Sequence, residues 1–222
     1  MTQLWISKRT DILKSIDLQY LKSGEFTDAV SKALICEGQP ELMLVPVGTW
    51  IFGQPQLITL FAQWRSAASH MYFSQIKPTA ESMAKYLRDT SVSEPDAVLF
   101  AIFDHHLNIL GHAGIRQATE SSCELDSIMK NPASTLSGLM FRTLAQIMSR
   151  VNEDFGITQF GLKTLSTNVP AISLYKKLGF QIEREIPLLA SNQNGVTHLI
   201  PTDLNSAHGN GQMLLMRRLV SD

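Results

Sequence analysis

The stretch Asn168-Val-Pro-Ala-Ile-Ser-Leu-Tyr-Lys-Lys-Leu-Gly-Phe180 constrains the fold more than any other part of this chain. It reads as a short helix with both ends marked. Asn168 supplies a side-chain oxygen for the free amides of the first turn, Pro170 suits that turn, and Gly179 suits the left-handed position past the end. Ala171, Ile172, Tyr175 and Leu178 recur at helical spacing and fall on one face. Phe180 opens an apolar extended run, and residues 159–165 form another just upstream. Strand, helix and strand therefore follow one another closely.

Upstream, the alternation continues. Residues 42–48 read as an extended apolar run, and its internal Pro46 marks it as an edge strand. Residues 54–65 and 78–88 read as helices. Residues 97–103 form a buried-strand run that turns at Asp104-His-His-Leu-Asn108 into a returning strand at 109–115. A further strand spans 123–129. The strongest helix pattern covers 135–153, where Leu136, Leu139, Met140, Thr143, Leu144, Ile147 and Val151 hold one stripe. Residues 188–210, rich in Ser, Asn, Gly and Pro, read as a long loop before a last strand at 213–220. Residues 1–40 differ in texture. Leu13, Ile16, Leu18 and Leu21, then Phe26, Val30, Ala33 and Leu34, suggest two short amphipathic helices broken at Gly24.

Length, 44% hydrophobic and 18% charged residues describe one sizeable globular domain with an extension. A net charge of −1 gives no general attraction to nucleic acid or an anionic membrane. Cys36 and Cys123 fit neither a disulfide framework nor a zinc spacing. The N-terminal residues lack the apolar core of a signal peptide, and no run approaches a membrane span, so a cytoplasmic location is expected.

The residues 168–180 resemble the signature N-x-x-A-x-x-L-Y-x-K-x-G-F of the GNAT superfamily of acetyl-CoA-dependent N-acetyltransferases, matching at Asn168, Ala171, Leu174, Tyr175, Lys177, Gly179 and Phe180. The resemblance implies an α/β fold with a mixed sheet, mostly antiparallel and then parallel, twisted and flanked by helices. The acyltransferase domain would cover 41–222, with 1–40 as a helical N-terminal extension. It implies acetyl-CoA as co-substrate, no metal, and a small-molecule amine acceptor; a homo-oligomer is neither required nor excluded. Looser likenesses at Gln63-Trp-Arg65, residues 109–115, Glu124-Leu-Asp126 and Ser137-Gly-Leu-Met140 point toward the branch that acylates amino sugars, including nucleotide-linked ones. Acetylation of a protein or peptide amine and a non-catalytic acyl-CoA-binding module are the alternatives.

Site residues follow from the same resemblance. A helix N-terminus carries free amides and partial positive charge suited to phosphate, and the family places the coenzyme A pyrophosphate at the start of the 135–153 helix. Here that loop keeps Gly138 but lacks the family's leading Arg/Gln and trailing small residue, which throws the contact onto the backbone of Ser137, Gly138, Leu139 and Met140. The strand at 123–129 would pair with the pantetheine arm through Ser127, Ile128 and Met129, and Asn168 is a further cofactor contact or simply a helix cap. Strand alternation puts Glu124, Asp126 and Ile128 on one face. The resemblance makes Glu124 a catalytic acid–base candidate and Asp126, with His112 and Arg65, an acceptor contact; a solvated strand face is the other reading of the two acids. Tyr175 is the candidate general acid toward the leaving sulfur, or a packing residue on the apolar stripe. His105 and His106, adjacent on a hairpin tip, should point apart into solvent, and no metal is expected there.

Overall fold

The computed structural model describes residues 16–36, 38, 41–202 and 211–220. Leu13 and residues 203–210 of the expected loop lie outside them. Ten strands form one sheet in the order β1-β2-β4-β5-β6-β7-β10-β8-β9-β3. These are β1 (Leu34–Cys36), β2 (Leu42–Pro46), β3 (Ser74–Gln75), β4 (Val98–Asp104), β5 (Ile109–Arg116), β6 (Ser122–Lys130), β7 (Gln159–Leu165), β8 (Gln181–Gln193), β9 (Val196–Pro201) and β10 (Gln212–Leu219). Every adjacent pair is antiparallel except β6 and β7.

Helices cover both faces. On one, α4 (Leu139–Phe155) and α5 (Val169–Lys177) bury Leu144, Ile147 and Tyr175 against Phe100, Leu125 and Phe160. On the other, α2 (Pro55–Ala67) and α3 (Ala80–Leu87) bury Phe61, Trp64, Met83 and Leu87 against Val45, Leu99 and Ala101. This explains why β4 is apolar at consecutive rather than alternate positions. Val98, Phe100 and Ile102 serve the first core, and Leu99, Ala101 and Phe103 the second. The helix α1 (Phe26–Ser31) packs Phe26 edge-on to Phe103.

Several expectations change. Of the two helices expected before residue 40, the described part holds a 3₁₀ turn at Gln19–Leu21, the six-residue α1, and then β1, which pairs with β2 from Leu34↔Leu44 to Cys36↔Leu42. Thus β2 is an edge only at Val45 and Pro46, beyond the β1 pairing, where the missing N–H of Pro46 costs nothing to that partner. The α4 helix begins at Leu139 rather than at 135, because Gly138 is left-handed (φ 69°) and breaks the helical path. Residues 188–202 are no loop. β8 and β9 form a hairpin around Asn194-Gly195, both at positive φ, as a two-residue turn matched to strand twist demands. His105 and His106 are exposed, but their ring centroids are 3.7 Å apart rather than pointing away from each other. No helix among the described residues is long and apolar enough to cross a membrane.

Candidate active site

The parallel pair β6–β7 is joined over Ser122↔Gln159, Cys123↔Phe160 and Glu124↔Gly161. Among the described residues the pairing stops there, although β6 continues to Lys130 and β7 to Leu165, each held by its outer neighbour β5 or β10. The two strands therefore diverge, leaving backbone edges of β6 and β7 facing a wedge-shaped cleft.

A bulge sharpens the divergence. β5 and β6 pair at Gly114↔Asp126 and next at His112↔Met129, so Ser127 and Ile128 together oppose Ala113 alone. Ser127 takes a left-handed backbone (φ 53°), which the bulge requires. The His112 ring holds it. Its Nδ1 lies 2.6 Å from the Ser127 carbonyl oxygen, which can only accept, so Nδ1 carries the proton. Gly111 is needed beside it, because a Cβ there would sit 2.4 Å from the Met129 carbonyl oxygen. The bulge also corrects the expected alternation. Glu124 and Asp126 share the face opposite Cys123 and Leu125, but Ile128 packs with the first core and Met129 with the second.

The two acids sit differently. Glu124 is at the closed end of the wedge and accepts from Lys163 Nζ at 2.6 Å across β6–β7. Asp126, nearer the bulge, accepts from Arg116 at 3.3 Å, a half-exposed pair that adds little stability. Around the bulge stand two tyrosines with no sequence signal of their own. Tyr86 Oη lies 2.8 Å from Ser127 Oγ, and Tyr72 Oη is 3.5 Å from the Ile128 carbonyl oxygen. Arg65 stacks its guanidinium 3.6 Å above the Tyr72 ring and donates Nη2 to the Ser74 carbonyl oxygen at 2.6 Å. Its Nη1 is buried without a hydrogen-bond partner among the described residues.

Burial dominates the electrostatics. It pushes the Tyr175 phenol well above its ordinary value, with Tyr72 and Asp126 adding to the rise, so the hydroxyl stays protonated at neutral pH. Tyr72 is pushed up to about 12 by burial, against a lowering from Arg65. His112, enclosed by Phe61 and Trp64, is pushed down to about 4 and is neutral at pH 7. The buried Cys123 thiol rises to about 12, which leaves it a poor nucleophile.

Both cleft-flanking helices start at the carboxyl ends of the diverging strands, after β6 and after β7. Asn168 Oδ1 caps α5 by accepting from the Ala171 amide at 3.4 Å. By contrast α4 has no side-chain cap, and a Cβ on Gly138 would meet nothing within 4 Å. The start of α4 is thus open on the Gly138 side, while Leu139 and Met140 turn their side chains into the core. Lys130 Nζ anchors the preceding loop to β6 through the Leu136 carbonyl oxygen at 3.0 Å. Past the end of β7 lies a cavity of about 320 Å³, lined by His70 from the 3₁₀ turn Ser69–Met71 and by sheet and hairpin residues including Gln75, Leu165, Thr167 and Thr197.

Of the residues singled out from sequence, the structure gathers Asp126, Ser127 and His112 about the bulge, with Arg65 joined through Tyr72, while Tyr175 packs in the first core and feels the charge of Asp126. Ser137–Met140 lie at the cleft's outer end. Tyr72, Tyr86, Arg116 and Lys163 escaped sequence reasoning because none belongs to a motif or a local pattern.

The fold is a mixed sheet with helices on both faces, whose one parallel pair parts beside a bulge. Residues 55–181, more than half of the chain, match the acetyltransferase (GNAT) domain, and the chain belongs to that family of acetyl-CoA-dependent acetyltransferases. Similar solved structures include a probable GNAT acetyltransferase from Chromobacterium violaceum ATCC 12472, 17% identical, covering 84% of this chain and 86% of that one with a TM-score of 0.60. A ribosomal L7/L12 α-N-protein acetyltransferase in complex with coenzyme A is 14% identical, over 84% and 98%, with a TM-score of 0.58. The spermidine N-acetyltransferase from Vibrio cholerae, in complex with CoA and spermine, is 14% identical over 80% and 95%, with a TM-score of 0.57. At these identities the likeness is one of fold. No curated protein matches the sequence.

Proposed function

We propose that this chain transfers an acetyl group from acetyl-CoA to the primary amine of a small acceptor, a nucleotide-linked amino sugar being the first candidate. The observation that carries the reading is the divergence of β6 and β7 beside the left-handed Ser127. The exposed β6 edge around Ser127, Ile128 and Met129 suits an extended, amide-containing arm. The free amides at Gly138, Leu139 and Met140 suit a pyrophosphate, since helix N-termini favour negative charge. Acetyl-CoA supplies the activated acyl group.

The remaining roles belong to the chain. As the acceptor nitrogen bonds to the acyl carbon, it must shed a proton and the leaving sulfur must gain one. Tyr175 is the donor in this reading, since burial keeps its phenol protonated. Asp126 receives or anchors the amine, being the acid whose charge reaches Tyr175, Tyr72 and His112. Glu124, already engaged by Lys163 at the closed end, supports that position. Asp126→Asn should lower turnover by roughly 10²-fold while acetyl-CoA affinity stays put, and Glu124→Gln should cost less. Full rates in both variants on a turned-over amine would remove the acids from the scheme.

The cofactor placement has its own test. Gly138→Val should weaken acetyl-CoA binding roughly tenfold, about one charge-assisted hydrogen bond. It should also lower stability by about 1–2 kcal/mol, because Gly138 is left-handed. Gly156→Val carries a matching strain at the other end of α4 (φ 71°), so titration of both variants separates strain from binding. Equal affinities in the two would place the pyrophosphate elsewhere.

A further inference from the structure

The cavity beyond β7 has a chemistry of its own. Its position is the carboxyl end of a diverging parallel pair, where open sheets leave a crevice for ligands. Leu165 is the last residue of β7 and forms part of its wall, so the cavity adjoins the cleft that leads to the Ser127 bulge. The opposite wall is the β3–β9 pair, in which Gln75 faces Thr197 in register and Ser74 Oγ meets His198 Nδ1 at 3.1 Å. On the β10 side the Gln212 amide donates to Ser166 Oγ at 3.0 Å, holding that strand's start against the β7 end.

The lining is polar without ions. Gln75, Thr167, Thr197, Gln212 and His70 offer hydrogen bonds, with Leu165 and Leu199 as apolar floor. Among the described residues it includes no Asp, Glu, Lys or Arg. Arg65 is tied to the Ser74 carbonyl oxygen and stacked on Tyr72, and is not part of the lining. A polycation or a carboxylate placed here would lose water and gain no counter-charge from the described lining, which is unfavourable. Hydroxyl and amide groups find partners there, because Gln75, Gln212 and Thr167 side chains both donate and accept and Thr197 Oγ1, whose proton goes to Asn192 Oδ1 at 2.8 Å, still accepts. The volume of about 320 Å³ lies at the small end of ligand pockets, which run from roughly 300 to 1,000 Å³. It suits about one ring rather than a folded chain terminus.

We propose that this cavity holds the ring that bears the acceptor amine, and that this ring is compact, free of charge other than the amine and dense in hydrogen-bonding groups, with any nucleotide carrier lying outside it. The proposal rests on the acetyl-transfer reading above and narrows its substrate class. Thiol release from acetyl-CoA would be followed with three amines: 2-amino-2-deoxyglucose, spermidine and a short peptide with a free N-terminus. The hydroxylated ring should give the highest kcat/KM. Ala190, an exposed β8 residue opposite Leu199 on the cavity rim, offers a way to fill the space. Ala190→Trp should raise KM for the aminosugar at least tenfold with acetyl-CoA affinity and melting temperature unchanged. Gln75→Leu, similar in size but without hydrogen bonds, should raise the same KM. Preference for spermidine or the peptide, or an unaltered KM in both variants, would overturn this proposal while leaving acetyl transfer standing. Failure to bind acetyl-CoA, or no release with any amine, would overturn both.

Discussion

Tyr175→Phe should keep its melting temperature and its affinity for acetyl-CoA and lose turnover by roughly 10²–10⁴, the range for a missing general acid. The residue is 6% exposed and packs its ring 6.2 Å from Phe180, so the substitution leaves the core filled. Only the hydroxyl goes. That hydroxyl is the group burial keeps protonated, and Tyr72 and Asp126 both act on it electrostatically. A packing role makes the opposite forecast. Losing the ring would cost stability, whereas losing the oxygen would leave the rate per folded molecule unchanged. Steady-state kinetics beside a thermal melt decide the matter, and wild-type turnover in the variant would reduce Tyr175 to a core residue.

His112 should make the fold acid-sensitive. Burial holds its folded-state value at about 4 against an ordinary 6.5, so as pH falls the unfolded chain takes up the proton first. Its contribution is complete above about 6.5 and is lost as pH drops through 4. At about 1.4 kcal/mol per unit, this one ring removes about 3 kcal/mol over that window. His112→Asn keeps a donor for the Ser127 carbonyl oxygen and cannot titrate. Denaturant unfolding at pH 7 and pH 4.5 should therefore show a much flatter loss in the asparagine variant. His112→Leu strips the donor as well, leaving a buried carbonyl unsatisfied at a cost of about 1–3 kcal/mol at neutral pH. It should weaken acetyl-CoA binding through a loosened bulge, and Asn should restore that binding. Parallel pH curves for wild type and asparagine variant would refute the assignment. In that role His112 acts as a positioning residue.

Much of the architecture was written in local chemistry. The α5 helix has its start and stop in Asn168 and Gly179, and the structure uses both, with Asn168 capping Ala171 and Gly179 at φ 86°. The α4 stripe and the double-faced β4 run depend on spacing of 3.6 and on consecutive apolar residues, which any window of the chain displays. The β8–β9 hairpin was missed, since residues 188–210 read as a loop. Its Asn194-Gly195 turn is a strong local signal that the polar composition of the surrounding residues obscured.

The site is another matter. Its wedge exists because strands from residues 122 and 159 pair for three positions and then part, each drawn away by a different neighbour. The bulge that turns Ser127 left-handed is a mismatch in count between β5 and β6, not a property of the serine. Alternation therefore predicted Ile128 on the wrong face. Glu124 and Asp126 look alike in sequence, and only the fold gives one a lysine from β7 and the other a place beside the bulge. Side-chain propensities act over a few residues, so they mark caps, stripes and turns. Burial, pairing register and the company a charge keeps are set by segments tens of residues away, and these are what separate a cleft that binds from a sheet that merely packs.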